Sequence, residues 1–154
     1  MLRHTLKELA SRLRSQFPHT PTQGQERLVH VFSKFSISEK PRCTLIIKGY
    51  AGTGKTTSIG AIVRTLREIR VSTVLLAPTG RAAKVMASYS GISASTIHRR
   101  IYVGARRSDG SDVYKIAPNL FKKTTFIVDE ASMIGESSGL VTNLLDDLLE
   151  YVFS

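Results

Sequence analysis

Cysteine, long apolar runs and acidic residues are all scarce in this sequence, and each scarcity excludes a class of protein. The single cysteine, Cys43, excludes a disulfide framework or a zinc cluster of cysteines within the chain. No stretch approaches the roughly 18 consecutive apolar residues of a membrane-spanning helix. The first 17 residues lack the apolar core of a secretory signal. Their basic, leucine-striped character leaves an organelle transit peptide as the alternative, which Glu8 and the helical period disfavour. We expect an intracellular, cytoplasmic protein with no membrane partner.

The shortage of acidic residues gives the chain a strong positive charge. Lys and Arg number 22 against 12 Asp and Glu, and the formal net charge is +10. This excess favours a polyanionic partner, with nucleic acid first and an acidic membrane surface second. Charge alone also leaves open a basic protein without such a partner. With 154 residues, 42% of them hydrophobic, the chain is long enough for one globular domain with a core.

Apolar segments and helical periods alternate along the chain and predict an α/β fold. Residues 43–49, 71–77 and 124–130 are short apolar runs of the kind found in buried parallel strands. Between and around them lie predicted helices at 1–18, from Pro21 with Thr20 as its cap, at 55–68, 81–89, from Ser95 or Thr96, and at 139–152. The buried stripes are expected at Leu2, Leu6, Leu9 and Leu13, at Leu28, Val31, Phe32 and Phe35, and at Ile59, Ile62, Val63 and Leu66. Asp109-Gly110 predicts a turn or hairpin.

Strands separated by helices predict a three-layer fold, a parallel sheet with helices on both faces. Right-handed crossovers place every strand-to-helix turn at one edge of such a sheet. We therefore expect residues 49–55, 78–81 and 129–133 to share one edge. The predicted domains are an N-terminal amphipathic helix, 1–18, and an α/β domain, 20–154.

The segment "GYAGTGKT", Gly49 to Thr56, matches the phosphate-binding pattern G-x-x-x-x-G-K-[ST] between a predicted strand and a predicted helix. Glycines let backbone N–H groups converge on phosphate oxygens, and the helix that starts here adds its positive end. Lys55 would contact the β- and γ-phosphates, and the Thr56 hydroxyl would bind Mg²⁺. The alternative is a glycine-rich turn with an exposed lysine. The predicted ATP-binding residues of this loop are Gly49, Ala51, Gly52, Thr53, Gly54, Lys55, Thr56 and Thr57.

The segment "FIVDEASM" places Asp129 and Glu130 at the end of a predicted strand. Carboxylates leaving a core are costly unless they meet positive charge, which Mg²⁺ supplies. Asp129 would hold the metal, and Glu130 would orient or deprotonate the attacking water, so Lys55, Asp129 and Glu130 are the predicted catalytic residues. The alternative is that this acidic pair caps the following helix.

Five segments in order, "TQGQERL", "GYAGTGKTT", "APTGRAAKVM", "STIHRRIY" and "FIVDEASM", resemble the RecD-like superfamily-one DNA helicases, a group of exodeoxyribonuclease V alpha-subunit and Dda type. The resemblance covers residues 20 to 151. It implies that residues 20–154 are a partial RecA-like domain of the P-loop NTPase type, truncated before the later helicase motifs, and that the protein is bacterial or phage-like. It implies ATP and Mg²⁺ as cofactors, single-stranded DNA as partner, other helicase or nuclease subunits as further candidates, and a role in DNA repair or recombination. The implied activity is ATP hydrolysis coupled to 5′→3′ translocation on single-stranded DNA and to duplex unwinding.

The resemblance also assigns residues outside the phosphate loop. Gln25 corresponds to the family's adenine-reading glutamine; without that context it would be read as a surface residue. The helix predicted after Pro78 would start at Thr79 and Gly80 with exposed N–H groups, which suit the phosphates of a sugar–phosphate backbone. The alternatives are a plain helix cap for Thr79, a solvated face for Arg81 and Lys84, and an ordinary histidine at 98. The residues implied to contact the strand are Pro78, Thr79, Gly80, Arg81, Thr96 and His98.

The chain ends at "YVFS", before the family's Gly-Asp-x-x-Gln-Leu-type segment and before a second RecA-like domain with its arginine. We expect a fragment of a first motor domain that binds ATP weakly, hydrolyses it very slowly and unwinds nothing. The alternative function is a non-catalytic nucleotide- and nucleic-acid-binding module. A small-molecule kinase is disfavoured, because no arginine-rich lid or acceptor pocket is evident.

Overall fold

A computed structural model of the chain describes residues 4–50, 52–135 and 143–154. These residues form two compact units, one ending at Val71 and the other beginning at Ser72. The helices are α1 Leu6–Ser15, α2 Gln23–Ile37, α3 Lys55–Glu68, α4 Gly80–Ser90, α5 Ile97–Ile101 and α6 Leu144–Phe153, with a 3₁₀ turn at Ala131–Met133. The strands are β1 Ser72–Ala77, β2 Ala94–Thr96, β3 Tyr102–Arg106, β4 Asp112–Ile116 and β5 Thr124–Val128. Within the described ranges, no helix combines the length and the apolar character needed to cross a membrane.

The first unit is helical, and its N-terminal helix α1 packs against α2 and α3. Thr5 and Glu8 form a capping box that fixes the start of α1. Of its predicted apolar stripe, Leu9 and Leu13 are buried and Leu6 is half-buried, while Leu2 lies outside the described residues. The helix ends at Ser15, before the predicted Pro18.

Charged side chains also join α1 to its neighbours. Arg14 donates to both carboxylate oxygens of Glu26 on α2, at 2.7 and 2.9 Å, and this hydrogen-bonded guanidinium lowers the pKa of Glu26. Arg64 on α3 donates to the backbone carbonyl of Gln16 at 2.9 Å. Helix α1 is therefore tied to the helix that carries Gln25.

The start and the buried face of α2 differ from the prediction. Its cap is Thr22 instead of Thr20. Thr22 and Gln25 form a capping box, in which each side chain accepts a hydrogen bond from the backbone N–H of the other residue. Val29 and Phe32 are buried, whereas the predicted Val31 is 39% exposed. The predicted Leu28 and Phe35 are only half-buried. In α3, by contrast, the predicted stripe of Ile59, Ile62, Val63 and Leu66 is confirmed as buried.

The predicted first strand, residues 43–49, is wrong, because among the described residues no strand pairs with this segment. Exposure alternates along it: Cys43, Leu45 and Ile47 are half-buried, while Ile46 is 74% exposed. An apolar run becomes a buried strand only where a neighbour supplies ladder hydrogen bonds. The prediction placed Cys43 at the start of this strand. Cys43 is instead a half-buried residue outside any strand.

The second unit contains a parallel sheet in the order β2-β1-β5, which confirms the predicted parallel sheet. Two of its strands match the predicted segments, but β2 replaces the predicted first strand. Val74 and Leu76 of β1 lie on one face in a core with α5 and α6, which contribute Ile97, Ile101, Leu144, Leu148 and Tyr151. Side chains alternate along a strand, so Leu75 and Ala77 point to the other face. Helix α4 contacts both β1 and β2.

Strands β3 and β4 form an antiparallel hairpin, which confirms the turn predicted at Asp109-Gly110. Gly110 has a φ of 83°, and Asp109 accepts a hydrogen bond from the Ser111 N–H at 2.9 Å. At the base of the hairpin, the Tyr102 hydroxyl donates to Asp147 of α6 at 2.5 Å. Burial and this carboxylate acceptor raise the pKa of Tyr102.

Helix α6 begins at Leu144, capped by the side chain of Asn143. The prediction placed its start at residue 139, and residues 136–142 lie outside the described residues.

Candidate functional site

The predicted phosphate loop folds as a tight turn that opens α3. Gly52 and Gly54 adopt positive φ values of 80° and 76°, a conformation that costs glycine little. The Thr53 hydroxyl donates to the Tyr50 carbonyl at 2.7 Å, which closes the turn. The predicted Ala51 lies outside the described residues. Gly49 packs tightly, since a Cβ there would lie 2.7 Å from the Thr53 hydroxyl oxygen.

Helix α3 begins without a side chain capping its N-terminus. Its N-cap residue is Gly54, which makes no side-chain cap hydrogen bond. The first N–H groups of a helix lack intrahelical acceptors and carry a partial positive charge. Lys55, Thr56 and Thr57 form the first turn, with Thr56 exposed and the other two half-buried. This N-terminus therefore suits an anionic group such as a phosphate.

Gln25 lies beside this turn, within the same unit. Its side chain is only 4% exposed, so it is not the surface glutamine of the alternative interpretation. The amide Oε1 accepts the Thr22 N–H at 3.0 Å, which leaves Nε2 as the group nearest the loop. A Cβ added at Gly54 would lie 2.6 Å from that Nε2. The geometry joins Gln25 to the phosphate loop through Gly54.

In the second unit, the carboxyl ends of three strands meet at one edge of the sheet. Strand β1 is in parallel register with both neighbours, so that Leu76 pairs with Ser95 and with Val128. The segments that follow, from Pro78, Thr96 and Asp129, therefore leave the same edge. This confirms the expected common edge for residues 78–81 and 129–133, and it adds the predicted Thr96–His98 segment.

Two of these segments start helices with a capping side chain. Thr79 accepts a hydrogen bond from the Ala82 N–H at 3.2 Å, and Thr96 accepts one from the Arg99 N–H at 3.2 Å. The predicted cap at Thr96 is thus confirmed. Thr79 and Gly80 are exposed, as is the Arg81 side chain, and Pro78 is half-buried. His98 is exposed with its ring 5.7 Å from that of Tyr102. These groups are accessible to a strand at this edge.

Asp129 is held where β5 ends. Its N–H donates to the Leu76 carbonyl at 3.1 Å, and its side chain is 9% exposed. Oδ1 accepts the Glu130 N–H at 2.8 Å, and Oδ2 accepts the hydroxyl of Tyr89 at 2.7 Å. A carboxylate this buried requires such hydrogen bonds. Burial and the Asp129 acceptor raise the pKa of Tyr89, which keeps its hydroxyl protonated as a donor.

Glu130 lies outside the core in an unusual backbone conformation. It is exposed, with φ 54° and ψ 35°, the left-handed region that non-glycine residues seldom adopt. It precedes the 3₁₀ turn but makes no side-chain cap hydrogen bond. The interpretation of Glu130 as a helix cap therefore has no geometric support.

The described residues include oxygen ligands of the kind that magnesium accepts. In the part of the chain that is described, no three His, Cys, Asp or Glu side chains come together as a metal cluster. Magnesium usually takes one or two carboxylates together with nucleotide phosphates and water. In the second unit, Asp129 is a carboxylate of this kind. In the first unit, the hydroxyl-bearing Thr56 is exposed.

Sequence reasoning missed Tyr89 as a partner of Asp129. The two residues are 40 positions apart, and a carboxylate does not indicate its donor in the sequence. One signal was available, since Tyr89 follows the buried Met86 by three positions on α4 and therefore lies near the inner side of that helix.

The chain matches the AAA domain family over residues 22–148. It is also similar to two curated helicases. It is 34% identical over 115 residues to the ATP-dependent DNA helicase dda of Enterobacteria phage T4, covering 73% of this chain and 26% of that protein. It is 28% identical over 143 residues to the ATP-dependent RecD2 DNA helicase of Deinococcus radiodurans, covering 85% of this chain and 19% of that protein.

The chain therefore spans about a quarter of the length of the first relative and about a fifth of the second. The range that matches the family, residues 22–148, includes Gln25, the phosphate loop, and the segments that follow β1, β2 and β5. The chain belongs to the AAA domain family of P-loop NTPases, and its resemblance to the RecD-like and Dda-type helicase motor domains is confirmed.

Proposed function

We propose that this chain is the ATP-binding part of a DNA helicase that uses ATP hydrolysis to move 5′→3′ along single-stranded DNA and to unwind duplex. The observation that carries the proposal is the common sheet edge in the second unit. The segments from Pro78, from Thr96 and from Asp129 leave it together, so a proposed strand grip adjoins a proposed catalytic carboxylate. The similarity to two DNA helicases supports the same function.

In this proposal, the phosphate loop binds the triphosphate. N–H groups at the start of α3 and the Lys55 ammonium contact phosphate oxygens, and Gln25 contributes an amide beside the loop for the adenine. The residues proposed to hold Mg²⁺ are Thr56 and Asp129. Bound Mg²⁺ would neutralise charge on the phosphates during transfer to water. Glu130, exposed after the end of β5, is proposed to orient or deprotonate that water.

The strand is proposed to lie over the edge formed by Pro78–Arg81 and Thr96–His98. Exposed N–H groups near the start of α4 suit phosphate oxygens, and Arg81 adds a positive charge. The net charge of +10 favours such a partner in general. An intracellular location, a role in DNA repair or recombination, and association with other helicase or nuclease subunits belong to the same proposal.

The decisive measurement is ATP hydrolysis with and without single-stranded DNA, on the protein that carries this chain at its natural full length. We expect stimulation by the strand, and a loss of roughly 100-fold or more in Lys55→Ala, because the variant removes a charge from the transferring phosphate. Lys34→Ala, an exposed lysine on α2, is the matched control and should keep full activity. Equal hydrolysis with and without DNA would overturn the helicase function. DNA binding without any hydrolysis would favour the non-catalytic module.

Salt dependence tests the strand grip separately. Two to four phosphate contacts predict a log–log slope of about −1.4 to −2.8, from roughly −0.7 per contact to a single strand. Arg81→Ala should reduce the magnitude of that slope by about 0.7, whereas Arg67→Ala on α3 should leave it unchanged. A slope of zero would exclude this edge as a phosphate-binding surface.

A further inference from the structure

Three hydrogen bonds within the second unit hold Asp129, and its carboxylate accepts two of them. Its backbone N–H extends the pairing of β5 with β1 through the Leu76 carbonyl. The Glu130 N–H holds Oδ1 at 2.8 Å, and the Tyr89 hydroxyl holds Oδ2 at 2.7 Å. The first two donors are backbone groups of the segment itself, so among these three only Tyr89 brings a side chain from another element.

The position of Tyr89 on α4 directs its hydroxyl to this carboxylate. It lies near the carboxyl end of α4, where Met86 and Ser90 are buried and fix the helix against the rest of the unit. A hydrogen bond to an ionised carboxylate is shorter and stronger than one between neutral groups, and 2.7 Å agrees with that class. Without the hydroxyl, Oδ2 would lose the hydrogen bond from Tyr89.

We propose that Tyr89 is a positioning residue that aims the Asp129 carboxylate at the metal of the nucleotide complex. The proposal rests on the function proposed above for Asp129. Groups that hydrogen-bond to a metal-binding carboxylate orient it, and their loss typically weakens metal binding by about 10- to 100-fold. Tyr89 touches neither phosphate nor water in this scheme, and acts only through Asp129.

The same helix gives Tyr89 a second consequence. Helix α4 begins at Thr79-Gly80, the turn proposed to grip the strand, and carries Tyr89 in its last turn. The turn and the tyrosine therefore belong to one rigid element. A displacement of α4 by a bound strand would reach Asp129 through the Tyr89 hydroxyl.

The test measures metal binding apart from hydrolysis, on the protein at its natural full length. Mn²⁺ is titrated into the protein with ADP and followed by its paramagnetic resonance signal, and ADP affinity is measured separately in EDTA. For Tyr89→Phe we expect Mn²⁺ affinity to fall by about 10-fold or more, with ADP affinity in EDTA within about twofold of the parent. A purely structural role would weaken both affinities together.

Tyr102→Phe is the matched control. Tyr102 is also half-buried and also donates to an aspartate, Asp147 at 2.5 Å, but on α6. Both variants keep the ring and remove one hydroxyl bonded to a carboxylate. Tyr102→Phe should leave both affinities unchanged.

A second measurement does not depend on how well the variant folds. In the parent protein labelled with fluorotyrosine, the ¹⁹F resonance of Tyr89 should shift when Mg²⁺ is added to the ADP complex, and that of Tyr102 should not. An unshifted Tyr89 resonance would overturn the proposal, as would parental Mn²⁺ affinity in Tyr89→Phe or an equal loss in both variants. If the parent protein itself binds no ADP or Mn²⁺, the function proposed above fails as well.

Discussion

The two turns proposed to bind ligands differ in how the next helix begins. Helix α3 starts at Gly54, in a left-handed conformation and without a side-chain cap. Helix α4 starts at Thr79, in an extended conformation and with its hydroxyl bonded to the Ala82 N–H. At α3, no capping side chain accepts from the first N–H groups, so they can donate to an external anion. At α4, the Thr79 side chain accepts from one of these N–H groups. The contrast suggests a site for a concentrated charge at α3 and a weaker, extended contact at α4.

The segments before the two turns differ as well. Strand β1 is paired on both sides before it reaches Pro78, so the second turn leaves a fixed sheet edge. Residues 43–49 reach the phosphate loop without strand pairing among the described residues. The loop is shaped instead by its own glycines and by contacts of Thr53 with Tyr50. One turn is positioned by its neighbours in the sheet, and the other mainly by local backbone conformation.

Gly54→Ala should have the largest effect on this comparison. An alanine at a φ of 76° costs about 1–2 kcal/mol, and its Cβ would meet Gln25 Nε2 at 2.6 Å. Gln25 is buried and bonded to Thr22, so it cannot move freely. We expect a lower free energy of unfolding, measured by urea denaturation, and ADP affinity reduced on the order of tenfold because the cradle loses its shape. Parental ADP affinity in this variant would show that the left-handed turn is not required.

Thr79→Ala should have a moderate effect on stability. Loss of the cap on α4 is expected to cost about 1 kcal/mol, measured as a shift in the urea midpoint at constant slope. Thr79→Ser keeps the hydroxyl and should retain most of that stability. If Thr79→Ala unfolds like the parent, the capping hydrogen bond contributes nothing, and the contrast between the two helix starts is weaker than the geometry indicates.

Gly80→Ala should have the smallest effect on stability, with the opposite sign to Gly54→Ala. Its φ is not positive, and no atom lies within 4 Å of an added Cβ. Alanine at such a position stabilises by about 0.4–1 kcal/mol, chiefly through the unfolded chain. If the strand approaches this turn closely, the more stable variant will bind single-stranded DNA less tightly. Unchanged DNA binding would remove Gly80 from the proposed contact surface.

Features with a local cause could be predicted from the sequence. The bounds of α3 follow from the glycine turn and from the period of Ile59, Ile62 and Leu66. The cap at Thr96 and the hairpin turn at Asp109-Gly110 depend on side chains that bond within a few residues. The common edge of two predicted turns follows from the handedness of parallel crossovers.

Features that depend on distant partners could not be predicted in this way. The apolar run 43–49 has the composition of a strand, but only a neighbouring chain segment makes it one, and β2 joined the sheet instead. In α2, Val29 is buried and Val31 is exposed, and the buried face of a helix depends on which elements pack against it. The bond from Tyr89 to Asp129 requires the sheet and α4 to be assembled first.

The backbone of Glu130 carries a consequence for any attempt to stabilise this protein. A glycine or an asparagine would adopt its φ of 54° with less strain. Screening for thermal resistance alone would therefore favour the removal of this carboxylate, which the proposed function requires for ATP hydrolysis. Under the proposed function, thermal stability and ATP hydrolysis place opposite demands on the residue at position 130, so a screen should select for both.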